Sequence, residues 1–356
     1  MVPAESTRIR LAHPDVGAAE LAEVGEVLGS GTLTMGPKVA EFEAELARLC
    51  EVEHAVAVSS GTAALYLAVQ ALGLEPGAEV LVPAYTFPAT ANVVALAGLR
   101  PVLVDVDPET MNLDPARIEA GPRTGAILAV HLFGRPARLD ELPGGVPVLE
   151  DAAGALGARS RGRACGGLGA AGCLSFHPRK IVTTGEGGAV TTSDAAIAET
   201  VRRLRNHGWR TLVPPDMPAP GLNFRLSDIL CAVGIPQARR LDELLAARAR
   251  VAAGYAERLR DLPVLLPGPD RGDVHGWQAY VVQVDGRDRV LEALRGEGIE
   301  AQIGTYALHL LGAYRDQGAF PGAARVFERA LALPFHSRLG EPDLDRVAEA
   351  LRRRLR

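Results

Sequence analysis

The chain has 356 residues, a formal net charge of −5 at neutral pH and 47% hydrophobic residues, which is an ordinary composition for a globular protein. Its length allows two domains of roughly 100–200 residues each. Basic residues cluster only in the tail, residues 352–356, which is typical of a last helical turn, where cations complement the dipole. Nucleic acid is therefore not an expected partner.

Signals for secretion, membrane insertion and metal binding are absent from the sequence. Residues 1–6 lack a basic region followed by an apolar core, and no apolar run reaches the roughly 18 residues of a membrane helix. The cysteines form no C-x-x-C pair, which argues against a zinc site or a redox couple. We therefore expect a cytoplasmic protein with no metal centre.

The first motif lies at residues 56–65. Residues 56–60 have the composition of a buried strand, and Gly61 and Thr62 begin a segment of good helix formers. Free backbone N–H groups at such a helix start suit a phosphate. An ordinary helix cap is the alternative, because Ser and Thr are common at that position.

Short apolar runs alternate with Ala- and Leu-rich segments over the next stretch of chain. The runs, bounded by turn residues, are typical of strands in a buried parallel sheet. They lie at residues 80–82, 102–104, 127–130 and 146–149, with predicted helices at 62–72 and 90–99. The pattern predicts an α/β fold with a doubly wound, mostly parallel sheet in a large domain, residues 1–240.

The run at residues 146–149 ends in two carboxylates, Glu150 and Asp151. Ligands of parallel sheets bind at the carboxyl ends of the strands, where Asp151 falls. A carboxylate there suits the nitrogen of a pyridinium ring. Capping of the next helix is the alternative.

Lys180 ends a strand-like stretch, residues 175–180, and the glycine-rich run 183–188 follows it. A lysine held against such backbone is placed to form an imine with an aldehyde cofactor. The alternative is a solvated surface charge, which most lysines are.

The remaining chain predicts a loop and a second domain. Residues 214–221 are rich in Pro and Gly, which break helices and strands. A loop of this length and composition favours a segment that covers the active site over a simple connection. Residues 227–259 predict a long helix, whole or broken. A strand at 278–284 and helices at 287–295 and 343–354 then predict a smaller α+β C-terminal domain, residues 241–356.

Taken in order, these segments resemble the DegT/DnrJ/StrS sugar aminotransferases, which have the type I fold of pyridoxal-phosphate enzymes. The resemblance runs nearly end to end. Its motifs include SSGTAAL at residues 59–65, VPAYTFPAT at 82–90, HLFGRP at 131–136, EDAA at 150–153, SFHPRK at 175–180, TTGEGG at 183–188, RNHG at 205–208, NFRLSD at 223–228 and GTYALH at 304–309.

The resemblance implies pyridoxal 5'-phosphate as cofactor and gives three residues roles at its ring. Lys180 would hold the cofactor as an imine and, once freed, would shuttle a proton between substrate and cofactor carbons. Asp151 would keep the pyridine nitrogen protonated. Phe87 would stack on the ring face, with plain core packing as the alternative.

The resemblance also implies a phosphate site and a homodimer. Gly61, Thr62 and Ser175 would bind the phosphate, and Asn223 would reach the phosphate of the neighbouring subunit, so that active sites are shared. One position departs from the pattern, because Gly154 stands where the family usually has a polar residue near the ring hydroxyl. We expect water or a neighbouring residue to replace that contact.

For the substrate, the resemblance implies a nucleotide-linked deoxysugar with a keto group, most closely a 4-keto-6-deoxy sugar, and glutamate as amino donor. Four arginines are unranked candidates for the nucleotide phosphates: Arg179, Arg205, Arg210 and Arg225. Tyr306 and His309 are candidates to approach the sugar from the small domain or the partner subunit. For His309, a satisfied loop histidine is the alternative.

Other functions on the same fold remain open. Related sugar dehydratases replace the lysine with histidine, whereas Lys180 is intact here. Amination of a keto-cyclitol, or formation of an aminated aromatic precursor, is barely distinguishable in sequence. A non-catalytic regulatory homologue is the third alternative, and the joint presence of Lys180, Asp151, Thr62 and Ser175 argues against it.

Overall fold

The structure is a computed structural model and describes residues 8–270 and 272–355. The expectation about a signal peptide concerned residues 1–6, which lie outside the described residues, as does Arg356 at the end of the basic tail. Within the described ranges, none of the helices combines the length and the apolar composition needed to cross a bilayer.

The chain alternates strands and helices over its first two thirds. Its strands are β1 (His54–Val58), β2 (Glu79–Pro83), β3 (Tyr85–Thr86), β4 (Arg100–Val104), β5 (Thr124–Val130), β6 (Val148–Asp151), β7 (Arg159–Ser160), β8 (Arg163–Ala164), β9 (Ala171–Ser175), β10 (Gly188–Thr192), β11 (Tyr280–Gln283), β12 (Gln302–Ile303), β13 (Tyr306–Ala307) and β14 (Ala330–Leu333). Its helices are α1 (Ala18–Ser30), α2 (Pro37–Cys50), α3 (Gly61–Ala71), α4 (Ala89–Leu96), α5 (Ala195–Leu204), α6 (Asp228–Arg239), α7 (Leu241–Leu259), α8 (Arg287–Gly296), α9 (Pro321–Arg329) and α10 (Glu341–Leu355).

Seven strands form the main sheet, in the order β1-β10-β9-β6-β5-β2-β4. Only β10 runs against its neighbours, β1 and β9, and the other pairings are parallel. Helices cover both faces, so the strands are apolar along their length, as β5 illustrates with five consecutive buried residues. The predicted α/β fold with a mostly parallel sheet is confirmed.

The C-terminal part contains a three-stranded antiparallel sheet, β11-β14-β12, against which helices α7, α8 and α10 pack. Its core includes Tyr255, Tyr280, Leu294 and Leu351, all fully buried. The predicted helix over residues 227–259 is two helices, α6 and α7, separated at Arg240. The domain boundary that we placed after residue 240 coincides with this break and stays a prediction.

Candidate active site

A cavity of about 490 Å³ lies where the main sheet's β5, β6 and β9 end and the C-terminal part covers them. This volume is within the range of small-molecule sites. The cavity brings together six of the seven residues predicted to bind the cofactor: its lining includes Gly61, Thr62, Phe87, Asp151, Ser175 and Lys180. The exception, Asn223, is exposed elsewhere on the chain.

The start of helix α3 and the end of β9 form one side of the cavity. Ser60 caps the helix by accepting the N–H of Ala63 at 3.1 Å. The N–H groups of the first helical residues, Gly61 and Thr62, have no intrahelical acceptor and carry the positive end of the dipole. A Cβ on Gly61 would lie 2.7 Å from Ser175 Cβ, so this close approach requires glycine. The arrangement suits an anion such as a phosphate.

Asp151 is a buried carboxylate at the carboxyl end of β6. Thr90 donates to its Oδ2 at 2.9 Å, and the backbone N–H of Ala153 donates to Oδ1 at 3.2 Å. Burial raises the pKa of Asp151, while these hydrogen bonds and the charge of Lys180 oppose the rise. Residues 152–158 after Asp151 form turns and no helix, so the alternative of a helix cap is wrong, and the bond to Ala153 closes a turn.

Lys180 lies in the turn after β9, where its N–H donates to the carbonyl of His177 at 2.8 Å. Burial lowers the pKa of Lys180, the Asp151 carboxylate counteracts this, and Arg179 and Arg248 add to the lowering. A lowered pKa increases the fraction of neutral amine, which is the form that attacks an aldehyde. Lys180 is therefore not the solvated surface charge of the alternative interpretation.

Arg248 is a buried cation beneath Lys180 that the sequence analysis missed. Its guanidinium donates to the carbonyls of Trp277 and Gln278, both at 3.0 Å, and to that of Lys180 at 3.4 Å. Burial lowers the pKa of Arg248 to about 10. The side chain of Arg248 thus connects helix α7 to the turn that carries Lys180. No local sequence motif predicts this contact, because the two segments are far apart in the chain.

Glu150 points to the opposite face of the sheet from Asp151, as consecutive strand residues do. Its carboxylate accepts the N–H groups of Gly166, Leu168 and Gly169 at 2.7–2.8 Å and a bond from His131 Nε2 at 2.9 Å. Burial favours the neutral acid, but these donors hold the pKa of Glu150 below its usual value. Glu150 thus has a structural role, because its carboxylate holds the loop after β8 in place.

His131 lines the cavity, and its bonds define its tautomer. Its Nδ1 lies 2.8 Å from the backbone nitrogen of Ala137, and an amide N–H can only donate. The Nδ1 atom is therefore the acceptor, and Nε2 carries the hydrogen that is donated to Glu150. The backbone N–H of His131 also bonds the Asp151 carbonyl at 3.1 Å, which joins β5 to β6 beside the carboxylate.

Phe87 is 60% exposed and lines the cavity, which contradicts the alternative of core packing. Its ring lies 6.3 Å from that of Tyr306, centroid to centroid, in a tilted arrangement. Strand β13, which carries Tyr306, pairs with β3, which precedes Phe87. His309 is half-buried against Phe320 and does not line the cavity of its own chain.

The structure distinguishes the four arginines proposed for nucleotide phosphates. Arg179 lies at the cavity and donates to Gln302 at 2.8 Å. Arg205 is buried against Glu43 and the carbonyl of Ala57, so it is structural. The other two bond to neighbours away from the cavity: Arg210 to Asp216 and Arg225 to Asn206.

Asn223 and the breaker-rich loop at residues 214–221 contribute nothing to the cavity of their own chain. The backbone of Asn223 pairs with Asn206, and the residue is exposed. Exposed apolar side chains surround this segment: Leu212, Val213, Met217 and Leu222. The loop as a cover and Asn223 as a phosphate ligand remain predictions that concern a second subunit.

The fold matches those of solved aminotransferases, and comparison with a family model specifies the family. Residues 14–352 match the DegT/DnrJ/EryC1/StrS aminotransferase family. Because the match covers nearly the whole chain, the protein belongs to this family and is an aminotransferase.

Solved structures of relatives superimpose over almost the full length. DesV of S. venezuelae, in complex with a ketimine intermediate, is 37% identical, covers 94% of each chain and has a TM-score of 0.90. DesI, crystallised with its TDP-sugar product, is 36% identical with a TM-score of 0.91, over 97% of this chain and 92% of its own. The putative sugar aminotransferase Spr1654 of Streptococcus pneumoniae, in its PLP form, is 27% identical with a TM-score of 0.90 over 97% of both chains.

Proposed function

We propose that this protein uses pyridoxal 5'-phosphate to transfer an amino group from glutamate to the keto group of a nucleotide-linked deoxysugar, with a 4-keto-6-deoxy sugar as the favoured substrate. One observation carries the proposal: Lys180 and Asp151 line the same cavity as Gly61 and Ser175. The start of helix α3 at Gly61 and the end of β9 at Ser175 form the predicted phosphate site, which we call the anion cup. These groups match the aldehyde, the ring nitrogen and the phosphate of the cofactor, and the similar protein Spr1654 has been solved in a PLP form.

The residues present fit that cofactor. When bound, it supplies an aldehyde for amino groups and a ring that accepts electrons. The Nζ of Lys180 would hold it and, when free, would carry a proton to and from the substrate carbon. The carboxylate of Asp151 would hold the proton on the ring nitrogen. The N–H groups of Gly61 and Thr62 and the hydroxyl of Ser175 would bind the phosphate, and Phe87 would cover the ring.

A second cavity, of about 820 Å³, supports a substrate with a remote anionic group. It adjoins the first, and Arg179, His177 and Gln302 line both. Arg8 and Arg295 line its other walls, and Glu300, the one acidic residue of the lining within residues 8–270 and 272–355, pairs with Arg8 at 2.8 Å. This leaves an excess of positive charge next to the cofactor cavity, which suits the diphosphate of a nucleotide-linked sugar.

The position of Asn223 supports a homodimer with shared sites. Its segment is exposed and flanked by exposed apolar side chains, which are typical of surfaces that bind another protein. The amide of Asn223 can donate to a phosphate oxygen without adding charge. We therefore propose that a second copy of the chain covers this segment and receives Asn223 in its own cavity.

The proposal is tested with purified protein, added pyridoxal phosphate and isotopically labelled glutamate. A nucleotide-linked 4-keto-6-deoxy sugar and a keto-cyclitol are offered separately, and mass spectrometry follows the label. We expect the label in the sugar. Label only in the cyclitol would favour the alternative acceptor, and label in neither, with the cofactor bound, would favour a non-catalytic homologue.

A further inference from the structure

The side chain of Gln278 occupies the space beside Gly154, at the edge of the cofactor cavity. A Cβ built on Gly154 would lie 3.3 Å from Cγ and from Oε1 of Gln278, and both residues line the cavity with Asp151 and Lys180. Gly154 is outside the left-handed backbone region, so its conformation does not demand glycine. The side chain of Gln278 therefore occupies the space that a side chain at residue 154 would otherwise occupy.

The backbone of Gln278 is fixed from two sides. Its N–H donates to the carbonyl of Phe133 at 3.1 Å, and its carbonyl accepts from Arg248 at 3.0 Å. The preceding residue, Trp277, has a φ of +46°, which re-aims the chain just before Gln278. In contrast, the side-chain amide of Gln278 has no hydrogen-bond partner among the residues that the structure describes. A held backbone with a free amide at a cavity is an arrangement that suits ligand binding.

The order of the strands determines which edge of the cofactor faces Gln278. In the sheet, β9 with Ser175 and β5 lie on opposite sides of β6, whose end carries Asp151. Phe133, which holds Gln278, follows β5. Gln278 and the anion cup are therefore on opposite sides of Asp151. In pyridoxal phosphate the hydroxyl and the phosphate arm likewise flank the aldehyde carbon on opposite edges of the ring.

We propose that the side-chain amide of Gln278 donates a hydrogen bond to the ring hydroxyl oxygen of the cofactor, in place of a side chain at residue 154. This assignment rests on the proposed cofactor. An amide N–H favours the ionised form of the oxygen that it bonds, so Gln278 would both strengthen binding and tune the titration of the bound cofactor. Gly154, which leaves the space open, and Gln278, which enters it, are more than a hundred residues apart in the sequence.

The test compares the variants Gln278→Ala, Gln70→Ala and the double variant Gln278→Ala with Gly154→Gln. Gln70 is the matched control, because it is a half-buried glutamine whose side chain donates to Tyr66 and lines neither cavity. Two quantities are measured for each: the dissociation constant of pyridoxal phosphate, and the pH midpoint of the visible absorbance of the bound cofactor. A melting temperature of each apoprotein reports whether it is folded.

We expect Gln278→Ala to weaken cofactor binding by about tenfold to a hundredfold, the usual range for a hydrogen bond to a charged oxygen. The absorbance midpoint should shift to higher pH, because the ionised oxygen loses its donor. Gln70→Ala should change neither quantity, and the added glutamine at residue 154 should restore both.

Two results would overturn the assignment. One is an unchanged dissociation constant and midpoint in the folded Gln278→Ala protein. The other is a loss that Gly154→Gln does not repair although the double variant is folded, since this would assign Gln278 a packing role. Wild-type protein that binds no pyridoxal phosphate would instead refute the proposed function itself, which keeps the two failures distinct.

Discussion

Thr90 Oγ1 lies 2.9 Å from Asp151 Oδ2, and the hydroxyl of Thr86 lies 3.1 Å behind that of Thr90. All three side chains are buried. Because a carboxylate oxygen only accepts, Thr90 donates to Asp151 and must accept from Thr86. The two hydroxyls thus form a directed chain of donors that ends on the carboxylate and opposes the effect of burial on its charge.

We predict that Thr90→Val weakens cofactor binding through Asp151. Loss of a donor to a charged group costs about 1.5–3 kcal/mol. The pKa of Asp151, already raised by burial, should rise further, so the loss of affinity should be largest at low pH and shrink as pH rises. Lys180, His131 and Cys173 also face this carboxylate and are unchanged in the variant. Titration of pyridoxal phosphate at several pH values measures the effect.

Thr90→Ser keeps the hydroxyl and should bind the cofactor nearly as wild type does. A Thr90→Val protein whose affinity and pH dependence match the wild type would show that Asp151 does not need this donor.

We predict that Asp151→Asn abolishes most transamination and leaves a folded protein. Burial raises the folded-state pKa of Asp151 above its unfolded value. Such a group stabilises the fold only below its unfolded pKa, and that contribution is lost as pH rises through the folded pKa. At neutral pH the amide removes an unfavourable buried charge, so the melting temperature of the apoprotein should stay level or rise.

A residue that only held the turn through the N–H of Ala153 would behave differently. Asparagine keeps an oxygen that accepts this N–H, so both stability and turnover would stay close to those of the wild type. Near-normal turnover in the Asn variant would therefore reject the role of Asp151 at the ring nitrogen.

We predict that Arg205→Met destabilises the fold without changing cofactor affinity. Arg205 is buried against Glu43, which also accepts the N–H of Ala57 at 2.8 Å. Removal of one partner leaves a buried charge and typically costs about 3–5 kcal/mol. Chemical denaturation measures the loss, and the exposed Arg210→Met serves as control. If Arg205→Met instead weakened binding of the nucleotide sugar at unchanged stability, Arg205 would have a role in substrate binding and the structural assignment would be wrong.

We predict that Lys180→Ala and Asn223→Ala complement each other. Each variant should be weakly active alone. In a mixed dimer with shared sites, one site carries both lesions and the other carries neither, so activity should return when subunits exchange. The control is a mixture in which exchange is prevented by crosslinking beforehand. Confirmed exchange with no recovery would mean that Asn223 serves its own subunit.

The sequence predicts those parts of the site that depend on neighbouring residues. Gly61 begins a helix, Asp151 ends a strand and Lys180 lies in the turn after a strand, so the local pattern and the resemblance to the family suffice to select them. Thr86 and Thr90 carry no such signal, because Thr86 lies in β3 and Thr90 in helix α4, so their spacing does not place them on one face. Their target, Asp151, lies far along the chain and only the folded sheet brings it near.

Other features could not be predicted because they depend on contacts between distant segments. Arg248 resembles any arginine in an Ala-rich helix until helix α7 packs beneath Lys180. The sequence indicates that the contact missing at Gly154 needs a substitute, but only the fold brings Gln278 there. The exposed apolar residues around Asn223 belong to the surface that the proposed second copy would cover, and no local sequence pattern identifies such a surface.

The most direct test of the account is the identity of the residue that holds the cofactor. Protein freshly loaded with pyridoxal phosphate is reduced with borohydride, digested and mapped by mass spectrometry. We expect the pyridoxyl adduct on Lys180, whose lowered pKa and position at the cavity favour the neutral amine. The Lys180→Ala protein should give no adduct. An adduct on Lys38 in loaded wild-type protein, or no adduct at all, would contradict the central claim.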